Sequence, residues 1–472
     1  MKSIKTVIPS IVLASFVSIA ALSASAQQSH GLVNDWLRER SQKFESTDLG
    51  GEFRVRYQVK DNFGNGANFH FRDTGVDNDN SYLENRLRMH LGVTPSDWIG
   101  VYVEGQHASS TGDEKAANPS SDILDLYQGY LDLGNLEQFP VTLRVGRQAM
   151  DYGDNRLVGR RPFNNIGRVF DAAKVRYTSG DTWVDGFVSR TVTVDDGSFN
   201  VANDYECFYG VYASTLAICP KQTTDIYFLG LNSGLGSSTA TTGSPVAGGG
   251  SPRDIYTIGT RMASVPGELG AWDYGVEGAI QFGRFKFGAA AASLDHFAYA
   301  LHGRGGYTFG EAWGAPRVGL VYDYASGDDD PTDGDHGTFD QLLPSVHGPL
   351  GFMDVVGWQN IHHIGIPMSV TPTEKLKVTL GYHAFWLASD QDFFYNVTGG
   401  ARTAGGYGIS TAGGKFVGSE IDLIANYRVC ESATLQTGFG HFFTGDYVDS
   451  SLAPLGGSAD ANWVYALMNV TF

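Results

Sequence analysis

The residues of this chain best suited to chemistry are arginines, and the chemistry they suit is the holding of anions. Between Arg144 and Tyr177, eight basic side chains (Arg144, Arg147, Arg156, Arg160, Arg161, Arg168, Lys174 and Arg176) stand against three acids, Asp151, Asp154 and Asp171. The whole chain carries a formal net charge of −18, so this stretch runs against its surroundings. A guanidinium presents a planar fork of donors that meets a carboxylate with two bonds at once, which an ammonium cannot do. Alternating segments flank the stretch, so the pattern predicts a basic loop and two strands lining a path for something anionic.

Other reactive types are present but poorly arranged. No GxSxG elbow or zinc motif occurs, so the chain is read as no enzyme, with no cofactor and no metal. His362 and His363 are adjacent on a predicted strand, and adjacent strand residues point to opposite faces. The acidic run 326–337 lacks the alternating ligands and twelfth-position Glu of an EF-hand loop, and is read as an outward loop that repels or loosely holds divalent ions. Three cysteines exclude a disulfide scaffold. Cys207 and Cys219 fall at opposite ends of one predicted strand, too far apart to bond, and Cys430 sits beside a turn.

What must position the arginines is a set of strands. Lys2 and Lys5, the apolar run Val7 to Leu22 and the small residues Ala24-Ser25-Ala26 read as an export signal cleaved near Ala26. Nothing after it is apolar over the roughly 18 residues a spanning helix needs. That leaves a periplasmic protein or a closed barrel, the one strand architecture that satisfies its backbone in lipid. Composition favours the barrel, with 61 Gly, 28 Phe, 23 Tyr, 8 Trp and 18% charged residues.

Alternation then marks the strands. Phe53, Val55, Tyr57 and Val59 face one way while Arg54, Arg56 and Gln58 face the other; Leu83, Leu87, Met89, Leu91 and Val93 oppose Glu84, Arg86, Arg88 and His90. Strands are predicted near 51–60, 81–94, 97–107, 123–134, 140–148, 169–178, 182–193, 205–214, 224–233, 254–264, 271–284, 298–309, 316–326, 358–370, 375–388, 416–428, 433–444 and 462–472. That is an all-β, antiparallel transmembrane barrel of about 18 strands, or 16 if the segments at 205–214 and 298–309 fail. Val464, Ala466, Met468, Val470 and Phe472 share a face of the last strand, with Trp463 and Leu467 blurring it. Short connections (95–96, 135–139, 179–181, 311–315, 431–432) alternate with long polar ones (61–80, 149–168, 234–253, 327–357, 389–415, 445–461), as periplasmic turns alternate with outer loops. The expected organisation is a signal over 1–26, a short periplasmic segment over 27–50, and one barrel over 51–472 with an aqueous lumen.

On these residues the chain resembles the alginate-export family of outer-membrane barrels. The resemblance rests on GDNRLVGRRPFNNIGRVFD (153–171), WDYGVEGAIQFG (272–283), PRVGLVYDYASGD (316–328), GTFDQLLPSVH (337–347), GFMDVVGWQNI (351–361) and YHAFWLASDQDFFY (382–395). It implies an 18-stranded barrel of the outer membrane with an arginine-lined lumen that passes an acidic polysaccharide outward. The candidate lumen residues are Arg54, Arg56, Arg86, Arg88, Arg144, Arg156, Arg160, Arg161, Arg168, Lys174, Arg176, Arg261, Arg304 and Lys377. Expected partners are outer-membrane lipid and lipopolysaccharide, an anionic polysaccharide or small anionic solutes, and periplasmic export components; no nucleic acid is expected, and the barrel is read as a monomer.

Two choices stay open at this level. The arginines either face a passing solute or pair with lumenal acids such as Glu84, Glu104, Glu277, Glu420 and Asp422. The loop at 149–168 either folds into the lumen, as the resemblance implies, or turns outward to lipopolysaccharide phosphates. Alternative functions for the same barrel are a general porin for small anionic or neutral solutes, and a non-conducting adhesin or structural barrel.

Overall fold

A computed structural model describes residues 32–39, 46–113, 115, 120–234, 252–287, 291–411 and 413–472. The export signal expected over 1–26 and nearly all of the loop at 234–252 lie outside the described residues. Eighteen antiparallel strands close into a barrel. They are β1 (Thr47–Asp61), β2 (Asn80–Ser96), β3 (Ile99–Thr111), β4 (Asp122–Leu133), β5 (Val141–Gln148) and β6 (Phe170–Ser179). β7 (Thr182–Thr193), β8 (Glu206–Thr215), β9 (Gln222–Ser233), β10 (Arg253–Ser264), β11 (Trp272–Phe285) and β12 (Leu294–Thr308) continue the wall. β13 (Arg317–Ala325), β14 (Ile361–Thr373), β15 (Leu376–Leu387), β16 (Phe416–Cys430), β17 (Ala433–Thr444) and β18 (Ala461–Thr471) complete it. Closure comes from β1, which pairs with β2 on one edge and with β18 on the other. Among the described residues, no edge of the barrel wall is left to pair with another chain.

The alternation works as the sequence predicts. Phe53, Tyr57, Met89, Val103, Ile226, Ile280, Leu320 and Val464 lie on the exposed outer face, and Arg54, Arg56, Glu84, Arg86, Gln106 and Tyr465 are buried on the inner one. Lipid outside and polar groups inside impose a two-residue period on every spanning strand. Exposed Trp98, Phe139, Trp272, Phe309 and Trp313 cluster at the short-turn end, where aromatic rings suit a membrane–water boundary. Among the described residues no helix is long and apolar enough to cross a membrane, so crossing falls to the strands.

Several boundaries move. β1 begins at Thr47 rather than near 51, because Gly50 and Gly51 still hold register with His90 and Met89 of β2. A short helix, Leu32–Arg38, precedes it, and Asn34 Oδ1 accepts the Leu49 amide at 2.7 Å. The first tight turn lies at 97–98 rather than 95–96, with a register shift between Val93 and Ser96. Pro95 lacks an amide hydrogen and so favours such an irregularity. The two least regular segments both exist, as β8 and β12, which excludes a 16-stranded count.

The lumen is not the open aqueous space expected of so wide a barrel. The long connections 149–169, 326–360 and 388–415 carry apolar residues that are buried inside: Leu157, Val158, Leu343, Val356, Trp358 and Phe394. Val158 and Leu343 form a parallel bridge where the first two loops meet. The strand wall contributes Phe385, Phe442, Trp463 and Tyr465 to the same cluster. Trp463 and Leu467, which blur the last strand's alternation, are inward side chains, and Trp463 packs edge-on to Phe163 of the first loop.

Candidate lumenal site

The basic loop at 149–169 is folded into the barrel and pinned there by the wall's arginines. Arg54 on β1 donates to the carbonyls of Pro162 and Asn164, each at 2.9 Å. Arg56 donates to Phe163 O at 2.6 Å and stacks on the Phe163 ring at 3.9 Å. On β2, Arg86 reaches Asn164 O at 3.0 Å and Arg88 reaches Ile166 O at 2.7 Å. Asn165 is buried and donates to the Ser109 and Ser120 carbonyls, which ties the same segment to β3. Charge-assisted bonds of this kind contribute roughly 1.5–3 kcal/mol each. A loop carried outward to meet lipopolysaccharide is therefore not what this geometry shows.

Close backbone approach explains two glycines of the signature stretch. A Cβ on Gly159 would run into Ser345 of the neighbouring loop, whose amide lies within 2.7 Å of that position. Gly167 holds φ +85° beside Tyr127 Oη and the Arg88 guanidinium, a conformation that side-chain-bearing residues rarely adopt. Arg161 takes φ +53° despite its side chain, with its amide on Ser345 Oγ at 3.0 Å and its Nε on Pro344 O at 3.1 Å. Such backbone strain persists only where the surroundings hold it.

The predicted lumen residues divide by partner. Arg56 pairs with Glu84 (2.8 Å), Arg86 with Glu52 (3.0 Å), Arg144 with Asp132 (2.7 Å) and Arg156 with Asp323 (2.8 Å). Arg160 meets Asp151 at 3.0 Å, while Lys174 and Arg176 share Asp185 at 3.8 and 2.6 Å. Arg261 bridges Asp154 and Asp225 at 2.5 and 3.0 Å, and Arg304 stands 3.5 Å from Asp154. The two guanidiniums hold the Asp154 carboxyl down at about 2 against the pull of its own burial.

A second group is held by oxygens other than carboxylates. Arg54, Arg88 and Arg168 bind carbonyls and amide oxygens, and among the described residues no carboxylate lies within ion-pair distance of any of them. Arg168 donates to Gly159 O (3.1 Å) and Pro344 O (3.0 Å), while its Nε and Nη2 are buried without a bond. Lys377, exposed on β15, likewise has no carboxylate at ion-pair distance among the described residues.

The acids expected to neutralise arginines are mostly engaged elsewhere. Glu84 does pair with Arg56, but Glu104 accepts from Gln128 at 2.7 Å and Glu277 from Tyr227 Oη at 2.8 Å. Glu420 and Asp422, both fully buried, accept the backbone amides of Met353 and Phe352 at 2.9 and 3.1 Å. They hold the loop 326–360 as the arginines hold the loop 149–169.

Sequence reasoning passed over Arg402. It is fully buried in the loop 388–415, donates to Val355 O at 3.0 Å and to Ala67 O, and lies 4.5 Å above the Phe394 ring. Burial lowers its guanidinium to about 10, still charged at neutral pH. Carbonyl partners leave no mark in a sequence, so nothing singled it out.

The remaining reactive types settle simply. His363 is buried inward while His362 faces outward against Tyr322 Oη at 2.9 Å. Among the described residues no group of three or more His, Cys, Asp or Glu side chains is arranged to hold a metal. In the acidic run, Asp328, Asp330 and Asp333 cap the amides of residues 330, 332 and 335, which is turn geometry. Cys207, Cys219 and Cys430 are all free thiols.

Comparison with known proteins agrees with this architecture. A family model described as alginate export matches residues 45–453. No curated protein matches the chain. Among solved structures, OccK9 (OpdG) of Pseudomonas aeruginosa is 12% identical, with 91% of this chain and 99% of that one covered and a TM-score of 0.60. OccAB1 of Acinetobacter baumannii is also 12% identical, covering 90% and 96% with a TM-score of 0.56. The outer membrane protein opdK of Pseudomonas aeruginosa is 10% identical, covering 90% and 98% with a TM-score of 0.57. At such identities the likeness concerns the fold.

Proposed function

The chain belongs to the alginate export family, and from that premise we propose that this passive outer-membrane channel carries an anionic, uronate-like polysaccharide outward. The observation that carries the proposal is the set of guanidiniums held by carbonyls rather than acids. An arginine in an ion pair presents a dipole whose field dies away over a few ångströms. Arg54, Arg88 and Arg168 have no carboxylate at ion-pair distance, and basic charge lining a pore favours anions. A single charge attracts a carboxylate about 5 Å away by only about 1 kcal/mol at water-like dielectric. Several weak, successive contacts suit a repeating polyanion, which has to advance without being trapped.

Uptake of small anions by a general porin is the second reading, and the narrowing of the lumen by the in-folded loops is compatible with it. A planar bilayer separates the two. With uronate oligomers of increasing length on the side of the short turns, export predicts current blocks whose duration grows with length. Oligomers that never enter, while small anions permeate freely, would contradict the polysaccharide reading and leave the porin.

A further inference from the structure

A row of titratable side chains crosses the inner wall from β11 to β16 and links the two in-folded loops. Glu277, His302, Asp323 and His363 are successive partners in the ladder register of β11, β12, β13 and β14, and His383 on β15 stands opposite Glu420 on β16. Asp323, fully buried, accepts from Arg156 Nη1, His302 Nδ1 and His363 Nδ1, each at 2.8 Å. His363 Nε2 lies 2.8 Å from His383 Nδ1, and His383 Nε2 lies 3.6 Å from Asp422 Oδ2. That same Asp422 oxygen accepts the Phe352 amide.

The hydrogen positions follow from the acceptors. A carboxylate only accepts, so the hydrogens of His302 and His363 sit on Nδ1. The Nε2 of a neutral His363 is then bare and must accept from His383 Nδ1–H. That leaves His383 Nε2 bare as well, facing the Asp422 carboxylate with no hydrogen between them. One proton added to the row can therefore bond at His383 Nε2, beside the hydrogen-bonded carboxyl pair Glu420 and Asp422.

We propose that His383 is the proton-uptake point of a relay that loosens the lumenal loops when the medium turns acid. The proton bonds to Nε2, and the resulting imidazolium donates to Asp422 and draws its carboxylate away from the Phe352 amide. Loop 326–360 loses that anchor, and loop 149–169 is tied to it through Gly159 N on Leu343 O (2.9 Å) and the Arg161 amide on Ser345 Oγ. The new positive charge also stands one imidazole away from Asp323, the partner of Arg156. Other charges facing the row are Asp154 and Arg304 near His302, and Asp354 and His347 of the loop near Asp422. The inference needs only a conducting barrel and is independent of what solute crosses it.

Single-channel recording of the whole protein between pH 8 and pH 3 tests it. Conductance should rise through a single step as the pH falls. His383→Gln and Asp422→Asn should each abolish the step, while the outward His362→Gln keeps it. Retarded gel mobility before heating identifies variants whose barrel has formed, and if one does not form, the other decides. A flat wild-type profile, or a step unchanged in either folded variant, would overturn the relay.

Discussion

Two arcs of the same inner wall do the same job with opposite chemistry. Along β1 and β2, strand arginines donate to the carbonyls of residues 162–166 and hold the first loop. Along β13 to β16, strand carboxylates accept, from the Arg156 guanidinium and from the amides of Phe352 and Met353. A guanidinium stays charged across the accessible pH range, so the first arc is a fixed anchor. Carboxylates and imidazoles titrate, so the second arc can change its grip.

The contrast is most easily broken at Asp323, where one carboxylate satisfies an arginine and two histidines. Asp323→Ala leaves a buried guanidinium without its ion-pair partner, and breaking such a pair typically costs about 3–5 kcal/mol. Denaturant unfolding followed by gel mobility should show a loss of that size, with Asp323→Asn losing less. Next in size, Arg54→Ala with Arg86→Ala removes donors from the carbonyls of residues 162 and 164 and leaves Glu52 without its partner. A loss of about 2–4 kcal/mol is expected, together with raised conductance from a freed loop. A smaller effect is expected at Glu420→Gln, which keeps an acceptor for the Met353 amide; a stability change within about 1 kcal/mol separates hydrogen-bond holding from charge holding.

How much of this was legible in the sequence follows from the same physics. Strand positions were readable because lipid on one face and polar groups on the other enforce alternation, and the irregular strands β8 and β12 still obeyed it. The inward direction of Arg54, Arg86, His302 and His383 was readable for that reason. Which carboxylate meets which arginine was not, because pairing depends on ladder register and on where a loop folds back. Glu277, Glu420 and Asp422 could not be told apart from Glu84 by alternation alone. Arg402 and the carbonyl-held arginines illustrate the limit best, since every residue type offers a carbonyl.

The central proposal is that the arginines without acid partners would give the lumen a preference for anions, and reversal potential across a salt gradient tests it most directly. Removing a pair whole, with Arg144→Gln and Asp132→Asn together, subtracts no net charge and should leave the anion preference as in the wild type. Removing Arg54, Arg88 and Arg168 together, each to Gln, subtracts three charges without an ion-pair partner and should move the reversal potential towards that of an unselective pore. Equal effects from the two variants, or an unchanged preference in the triple variant, would contradict the account.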